Sequence, residues 1–353
     1  VIWFAIASLT PAGLLLLAAL WGGPWPLLAV LSITVFVFFV DRLVSRLMPD
    51  TQERSGLWLS LVQASAHFVL WPVGVWAIGA GAHLDLVDKA LLLVGLGLYF
   101  GQISNSNAHE LIHNAATAPR RLGVAIYCSL LFGHHTSAHT RVHHVYAATL
   151  EDPNTARRGE GFWRFFIRAW SAGFAAGKAA EDRLRARAST PLSGWRHPYM
   201  GYLGGAGLAL VAAFMLAGPK GLAALGLIAA YAQLQLYLSD YVQHYGLVRK
   251  IDETGKPEPM GPQHSWNAPH WYSSAMMLNA PRHSDHHIAP GRPFPQLRLD
   301  AQTMPILPHS LPVMAVLALV PPLWRRVMDP RVDRWRGHNA ASPRVSACPA
   351  ATA

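Results

Sequence analysis

Four short stretches hold most of the residues that could do chemistry. They are "HELIH" (His109–His113), "AHTRVHH" (Ala138–His144), "YVQHYGL" (Tyr241–Leu247) and "RHSDHH" (Arg282–His287). The chain has 18 histidines in 353 residues, and seven of them fall between His109 and His144. Histidines at i and i+4 share a helix face about one turn apart, close enough to hold one metal. A lone HxxxH is a weak signal. Two adjacent pairs, each preceded by a third histidine about one turn earlier, have no packing rationale and point to metal. Imidazole suits zinc, copper, iron and nickel. Nine ligands exceed the four of a zinc site. Two metals sharing nine nitrogens would take four or five each and keep open positions for oxygen, so a redox-active pair, with iron the best fit, is expected. The two cysteines, Cys128 and Cys348, form no CxxC pair, which excludes a cysteine-ligated zinc or iron–sulfur centre and gives no reason to expect a structural disulfide.

The elements that must position these residues are apolar. The chain is 52% hydrophobic and 14% charged, against roughly 25% charged in ordinary soluble domains. A helix needs about 20 mostly apolar residues to cross a bilayer core. Six spans are expected, at about 2–22, 25–41, 57–80, 90–113, 198–217 and 221–245. The fold class is thus an all-α integral membrane protein: six transmembrane helices under a cytoplasmic histidine-rich cap, in one domain over 1–337. The first apolar run leads directly into another, so no cleaved signal peptide is expected. Lys and Arg collect in cytoplasmic loops. Under this topology only Lys89 and Lys220 lie outside, and both termini lie inside. The net charge of +10 then belongs mostly to one face, where it could meet anionic lipid or an acidic soluble partner. Because the basic composition follows topology, nucleic acid is not an expected partner. The segment Met304–Trp324, with five prolines, is assigned to the cap or the interface, and 338–353 is expected to be disordered. All four histidine clusters land at one depth on one side, where ionisable residues are functional by default. The isolated His67, His83, His197, His309 and His338 are read as interfacial polar residues.

At these residues the sequence resembles the membrane-bound alkane hydroxylases of the fatty acid desaturase/hydroxylase superfamily. "HELIH", "HSDHH", "QHSWN" (Gln263–Asn267), "EDPNTARRGEGFWRF" (Glu151–Phe165), "HYGL" (His244–Leu247) and "VPPLWRRVMDPRVDRW" carry the likeness, which runs from about the second span to about Trp335. The resemblance implies a non-haem diiron centre held by His109, His113, His139, His143, His144, His244, His283, His286 and His287. It implies O2-dependent terminal hydroxylation of an alkane in the inner membrane of a bacterium, with the active site on the cytoplasmic side. Electrons would come from rubredoxin and its reductase, or from a ferredoxin-type reductase. Three positions depart from the family pattern: Ala138 stands where Glu is usual, and Asp240 and Gln243 replace Asn and Glu. Gln before "HYGL" looks more like the xylene and cymene methyl hydroxylases, which leaves aryl-methyl hydroxylation as an alternative.

Metal-bound histidines normally give their second N–H to a carboxylate or carbonyl. Glu110, Asp152, Asp240 and Asp285 are expected in that role, with His134, His264 and His270 as further outer partners. Asp240 lies four residues before His244 and is expected to accept its N–H. Ile33, Phe36 and Phe39 on the second span are the expected lining of a substrate pocket. Other readings are an acyl desaturase or lipid hydroxylase, an intramembrane zinc protease from HExxH, and a metal transporter. "HYGL" argues against the first, and the further histidine clusters argue against the second.

Overall fold

The computed structural model describes residues 1–44, 53, 55–189 and 193–341. These residues form helices and loops with no β-strand, only isolated bridges at Ile251–Pro257 and Asn267–Ile306. Helix α1 (Ile2–Trp21) is apolar throughout and stops at Gly22 and Gly23, both with positive φ (63° and 65°). Glycine takes that conformation at no steric cost, and Pro24 then opens α2 (Pro24–Ile33) at a position where its missing N–H is not needed. Thr34 breaks the run with φ −110° and ψ −84°, and α3 (Val35–Leu43) follows. Helix α4 (Leu57–Ala80) matches the expected third span. Helix α5 (Leu86–Leu98) is capped by Asp85, whose carboxylate accepts the Asp88 N–H at 2.7 Å. It runs through a π-helical turn, Tyr99–Ser104, into α6 (Asn105–Ile112).

Among the described residues, five helical stretches are long and apolar enough to cross a membrane: Ile2–Trp21, Pro24–Leu43, Leu57–Ala80, Leu86–Ile112 and Pro198–His244. The fifth covers both the fifth and sixth expected spans. It is 47 residues long and loses helical geometry at Ala217 (φ −152°) and Gly218 (φ 58°), just before Pro219. Gly221 then lies directly against the Ala213 carbonyl. In a straight helix, residues eight apart are about 12 Å apart along the axis. The chain therefore doubles back here, and 198–216 and 219–244 are two arms of a hairpin.

Outward-facing large apolar side chains recur along these stretches, among them Trp3, Leu27, Phe39, Leu61, Leu208 and Phe214. In water they would be a liability; against lipid they are the expected surface. The rest of the chain gathers at the end where α6 and the second arm finish. Helix α7 (Thr117–Ser129) returns beside α6. Three short elements follow in sequence: α8 (His135–Ser137), a π-helical turn Ala138–His143, and α9 (His144–Tyr146). Helix α10 (Phe162–Ala186) packs on them, α11 is the hairpin Pro198–His244, and α12 (Trp271–Met276) and α13 (His283–Ile288) complete the histidine region. Helix α14 (Leu311–Ala318) lies on α11, and α15 (Pro321–Ala341) closes the chain. This last helix runs four residues into the segment expected to be disordered; residues 342–353 lie outside the described residues. An aromatic cluster of Tyr241, Tyr245 and Trp324 ties α15 to the end of α11, and a bidentate Arg158–Asp333 pair (2.6 and 2.7 Å) adds a clamp at the surface.

Candidate metal centre

Each of the four stretches arrives by a different local device. His109 lies in the last turn of α6 and His113 is its C-cap, so the HxxxH pair stands on one helix face at the end of an apolar stretch. The second stretch uses a π-helical turn. Its wider i→i+5 winding lets residues four and five ahead flank the same face, which presents His139, His143 and His144 together. His244 is the last residue of α11. His283, His286 and His287 occupy a single short helix, reached through two consecutive left-handed residues, Leu278 (φ 49°) and Asn279 (φ 55°). That turn is held by the Asn279 N–H to the Ser274 carbonyl (2.8 Å) and by the Asn279 amide to the Phe294 carbonyl (3.0 Å).

The nine imidazoles converge in two groups. His109, His113, His139, His144 and His286 form one; His143, His244, His283 and His287 form the other. In the first, the Nε2 atoms of His139 and His109 are 2.8 Å apart, those of His144 and His139 2.9 Å, and those of His286 and His144 3.1 Å. In the second, His244 to His283 is 2.8 Å, His287 to His283 3.1 Å and His287 to His244 3.2 Å. Two imidazole nitrogens, each about 2.1 Å from one ion and at right angles, stand about 3.0 Å apart. The buried Nε2 atoms of His113 and His143 have no hydrogen-bond partner. A buried nitrogen without a partner costs free energy unless something binds it. Two positively charged ions among these lone pairs satisfy both observations, so the residues fit a two-metal centre. The groups abut: the His143 and His244 rings lie 4.5 Å apart, and the His144 and His287 rings 4.7 Å.

The electrostatics favour ligation. Burial first, then the neighbouring imidazoles, hold His139, His144, His286 and His287 well below the usual histidine range. Burial takes His283 down to about 3. These rings are neutral at pH 7, as a metal ligand must be. His143 goes the other way. Burial lowers it, but the Asp152 carboxylate, 2.9 Å from its Nδ1, outweighs that and raises it. That bond fixes the ring's tautomer and turns its Nε2 toward the other histidines. Asp152 is itself fixed, accepting from the Thr155 hydroxyl (2.7 Å) and the Asn154 N–H (3.0 Å).

The other expected outer partners are placed elsewhere. Asp240 accepts the Asn154 side-chain amide at 2.6 Å, and the buried His244 Nδ1 has no partner, so the expected Asp240–His244 bond is not formed. Sharing a helix face did not decide the matter, because Asn154 offers Asp240 a donor from another part of the chain. Asp285 pairs with the Arg292 guanidinium and accepts the Arg298 N–H at 2.8 Å; a charged donor outcompetes an imidazole N–H. Glu110 accepts the Phe294 N–H at 3.2 Å. His264 bonds Glu258 (3.1 Å) and the Gly261 N–H (3.0 Å). His134 packs edge-on against Phe132 and Phe174, and His270 precedes α12 near Asp41. The pocket expectation also changes. Phe36 and Phe39 are 51% and 53% exposed on the outer surface, and Ile33 is buried in the helix core.

Two histidines carry more than the sequence suggested. His135, beside the expected His134, is buried with its ring 5.3 Å from His139. His67 is fully buried rather than interfacial, its two nitrogens each 2.7 Å from a hydroxyl, Ser104 and Ser129. It ties α4 to the π-helical turn before α6. A stripe of polar residues inside α4 (Ser60, Gln63 and His67, all buried) was the available signal.

A space borders the histidines on the side facing α11. Asn105, Ser106, His109, Tyr127, Asp240 and His283 are among its walls. It shares Asn105, Ser106, Ser239 and Ala280 with a second space that opens past Gly101, Gln102 and Gln235 to Leu311, Pro312 and Ala315 of α14.

Comparisons with known proteins agree with this geometry. Residues 89–317 match the model of the fatty acid desaturase family. The chain is 30% identical to an alkane 1-monooxygenase of Ectopseudomonas oleovorans, covering 92% of this chain and 79% of that protein. It is 31% identical to alkane 1-monooxygenase 1 of Pseudomonas aeruginosa, over 85% and 82% of the two chains. It is 27% identical to the xylene/toluene monooxygenase hydroxylase component XylM of Pseudomonas putida, over 94% and 89%. With the family model spanning most of its length and the histidine groups lying inside that match, the chain belongs to the fatty acid desaturase family and is an oxidoreductase of the alkane monooxygenase kind.

Proposed function

We propose that this protein hydroxylates the terminal methyl group of alkanes: R–CH3 + O2 + 2e⁻ + 2H⁺ gives R–CH2OH + H2O. The observation that carries the reading is the convergence of nine imidazoles in groups of five and four at the end of apolar helices. Each group would hold one iron: His109, His113, His139, His144 and His286 the first, and His143, His244, His283 and His287 the second. An unactivated C–H bond offers no acid–base handle, so the bound irons would supply the oxidation by activating O2. The chain's own residues do the rest. Asp152 holds the His143 ring in one tautomer. The burial of all four rings of the second group excludes bulk water. The space beside His109 and His283 would receive the reacting end of the substrate. Each methylene of the substrate removed from water contributes about 0.8 kcal/mol, so a medium chain needs no polar anchor.

In this reading the two arms of the hairpin make the fifth and sixth crossings, both termini are cytoplasmic, and the protein sits in the inner membrane of a bacterium. Rubredoxin, with its reductase, would deliver the electrons, and a ferredoxin-type reductase is the other option. The likeness to XylM favours aryl-methyl hydroxylation as a second reading, with the same chemistry in a wider pocket. Product identification in a system reconstituted with rubredoxin, its reductase and NADH separates the two. Octane should give 1-octanol, whereas turnover of xylene alone would favour the second reading. Turnover at limiting carrier should fall as salt rises, because a basic face and an acidic carrier attract through screened charges. A flat salt response would count against electrostatic docking.

A further inference from the structure

Beside the space at the histidines, the small space that reaches α14 has mostly apolar walls that also carry polar groups. Amide and hydroxyl groups line it: Gln102, Asn105, Ser106, Gln235 and Ser239. Most of their donors are already committed. The Gln102 amide donates to Gln235 Oε1 (3.0 Å) and the Ser106 hydroxyl to the Gln102 carbonyl (2.7 Å). Ser239 donates to Gln243 Oε1 (2.9 Å), and the Gln243 amide to the Ala280 carbonyl (3.1 Å). Two of the groups left over are buried acceptors. Gln102 Oε1 and Asn105 Oδ1 are buried and without a partner. They stand one helical turn apart where the π-helical turn meets α6, and Asn105 borders both the outer space and the space at His109 and His283. A buried acceptor left unpaired is costly, and its complement is a group that donates a hydrogen bond. A hydrocarbon has none; the alcohol made from it has one.

We propose that Gln102 and Asn105 form a binding site for the hydroxyl of a primary alcohol, between the metal centre and the opening at α14. The inference rests on the reading of the protein as a hydroxylase and deepens it, by naming where the product is held before it leaves. The alkane enters without a polar contact. Once the terminal carbon carries a hydroxyl, the acceptors hold it and draw it out of the space beside the histidines. The two residues act on release and on the preference between substrate and product, not on the oxidation step.

The test is equilibrium binding to the iron-loaded protein in lipid nanodiscs, without reductant, so that no turnover is needed. The probes are octane, 1-octanol and 1-methoxyoctane, which has the oxygen but no donor. After correction for partition into empty discs, 1-octanol should bind about five- to tenfold tighter than 1-methoxyoctane, the size expected of one or two neutral hydrogen bonds. Gln102→Leu and Asn105→Leu should each lose most of that preference, while Gln102→Glu and Asn105→Asp, which keep an acceptor, should retain it. Unchanged iron content reports that each variant has folded. Equal binding of 1-octanol and 1-methoxyoctane in the wild type would overturn the proposal, with water as the occupant of the acceptors. So would a preference that survives both leucine variants. Failure to make 1-octanol from octane in the reconstituted system would instead refute the hydroxylase reading and leave the binding result standing.

Discussion

The two histidine groups differ in how they are enclosed. In the group of four, every ring is buried, and His143 is braced by an Asp152 that is itself held by Thr155 and Asn154. In the group of five, His109, His113 and His144 are only partly buried; His109 and His139 border the space beside α11, as does His283 of the other group. One group is thus more fully enclosed than the other. A redox pair that must meet both an oxygen molecule and a chain from the membrane needs open coordination on one side and firm ligation on the other. With an iron in each group, as proposed, the extra imidazole in the group of five would compensate for weaker enclosure, because more ligands keep an ion where burial does less.

The comparison can be broken most directly by removing one ligand from each group. His143→Ala leaves three imidazoles in the buried group and also leaves Asp152 as a buried carboxylate without its ring. His286→Ala leaves four in the other. Both variants should lose nearly all turnover, but metal analysis should show the greater iron loss in His143→Ala. Full activity in either would refute the ligand assignment, and a greater loss in His286→Ala would reverse the contrast between the groups. Asp152→Ala is expected to have the next largest effect. Loss of an outer partner typically costs about 10–100-fold in metal affinity or activity, and a metal-chelation titration should find that loss on the buried group, with Asp152→Asn milder. Asp240 acts at one further remove, through Asn154. Asp240→Asn should change iron affinity by less than Asp152→Ala does, and an equal effect would mean that Asp240 reaches a ligand directly.

The groups were only partly legible in the sequence. Eight of the nine histidines could be read from adjacency and helical spacing, because those relations are local; His244 stands alone in the sequence and was read from its place at the end of a span and from the resemblance of "HYGL". Their division into five and four could not. His143 and His144 are neighbours in the chain but belong to different groups, and only the π-helical turn and the arrival of α13 decide which way each ring points. Asp152 was legible because it follows the second stretch closely. Asp240 and Asp285 were not, since their partners are Asn154, from a loop 86 residues upstream, and an Arg292 that competes by charge. The helical spans were readable from hydropathy. The outward face of α3 was not, because Phe36 and Phe39 serve a lipid surface as well as they would serve a pocket wall. The space between Gln102 and α14 also needed the fold, as it brings together four segments of the chain, 101–106, 235–239, 277–280 and 311–315.

As proposed, the two groups would hold two irons separately. The direct test is anomalous scattering at the iron absorption edge from crystals of the iron-loaded protein. Two peaks are expected. One lies among His109, His113, His139, His144 and His286 and the other among His143, His244, His283 and His287, each about 2.1 Å from its Nε2 atoms, as imidazole ligation requires. A single peak shared by both groups, or signal at the zinc edge alone, would contradict it.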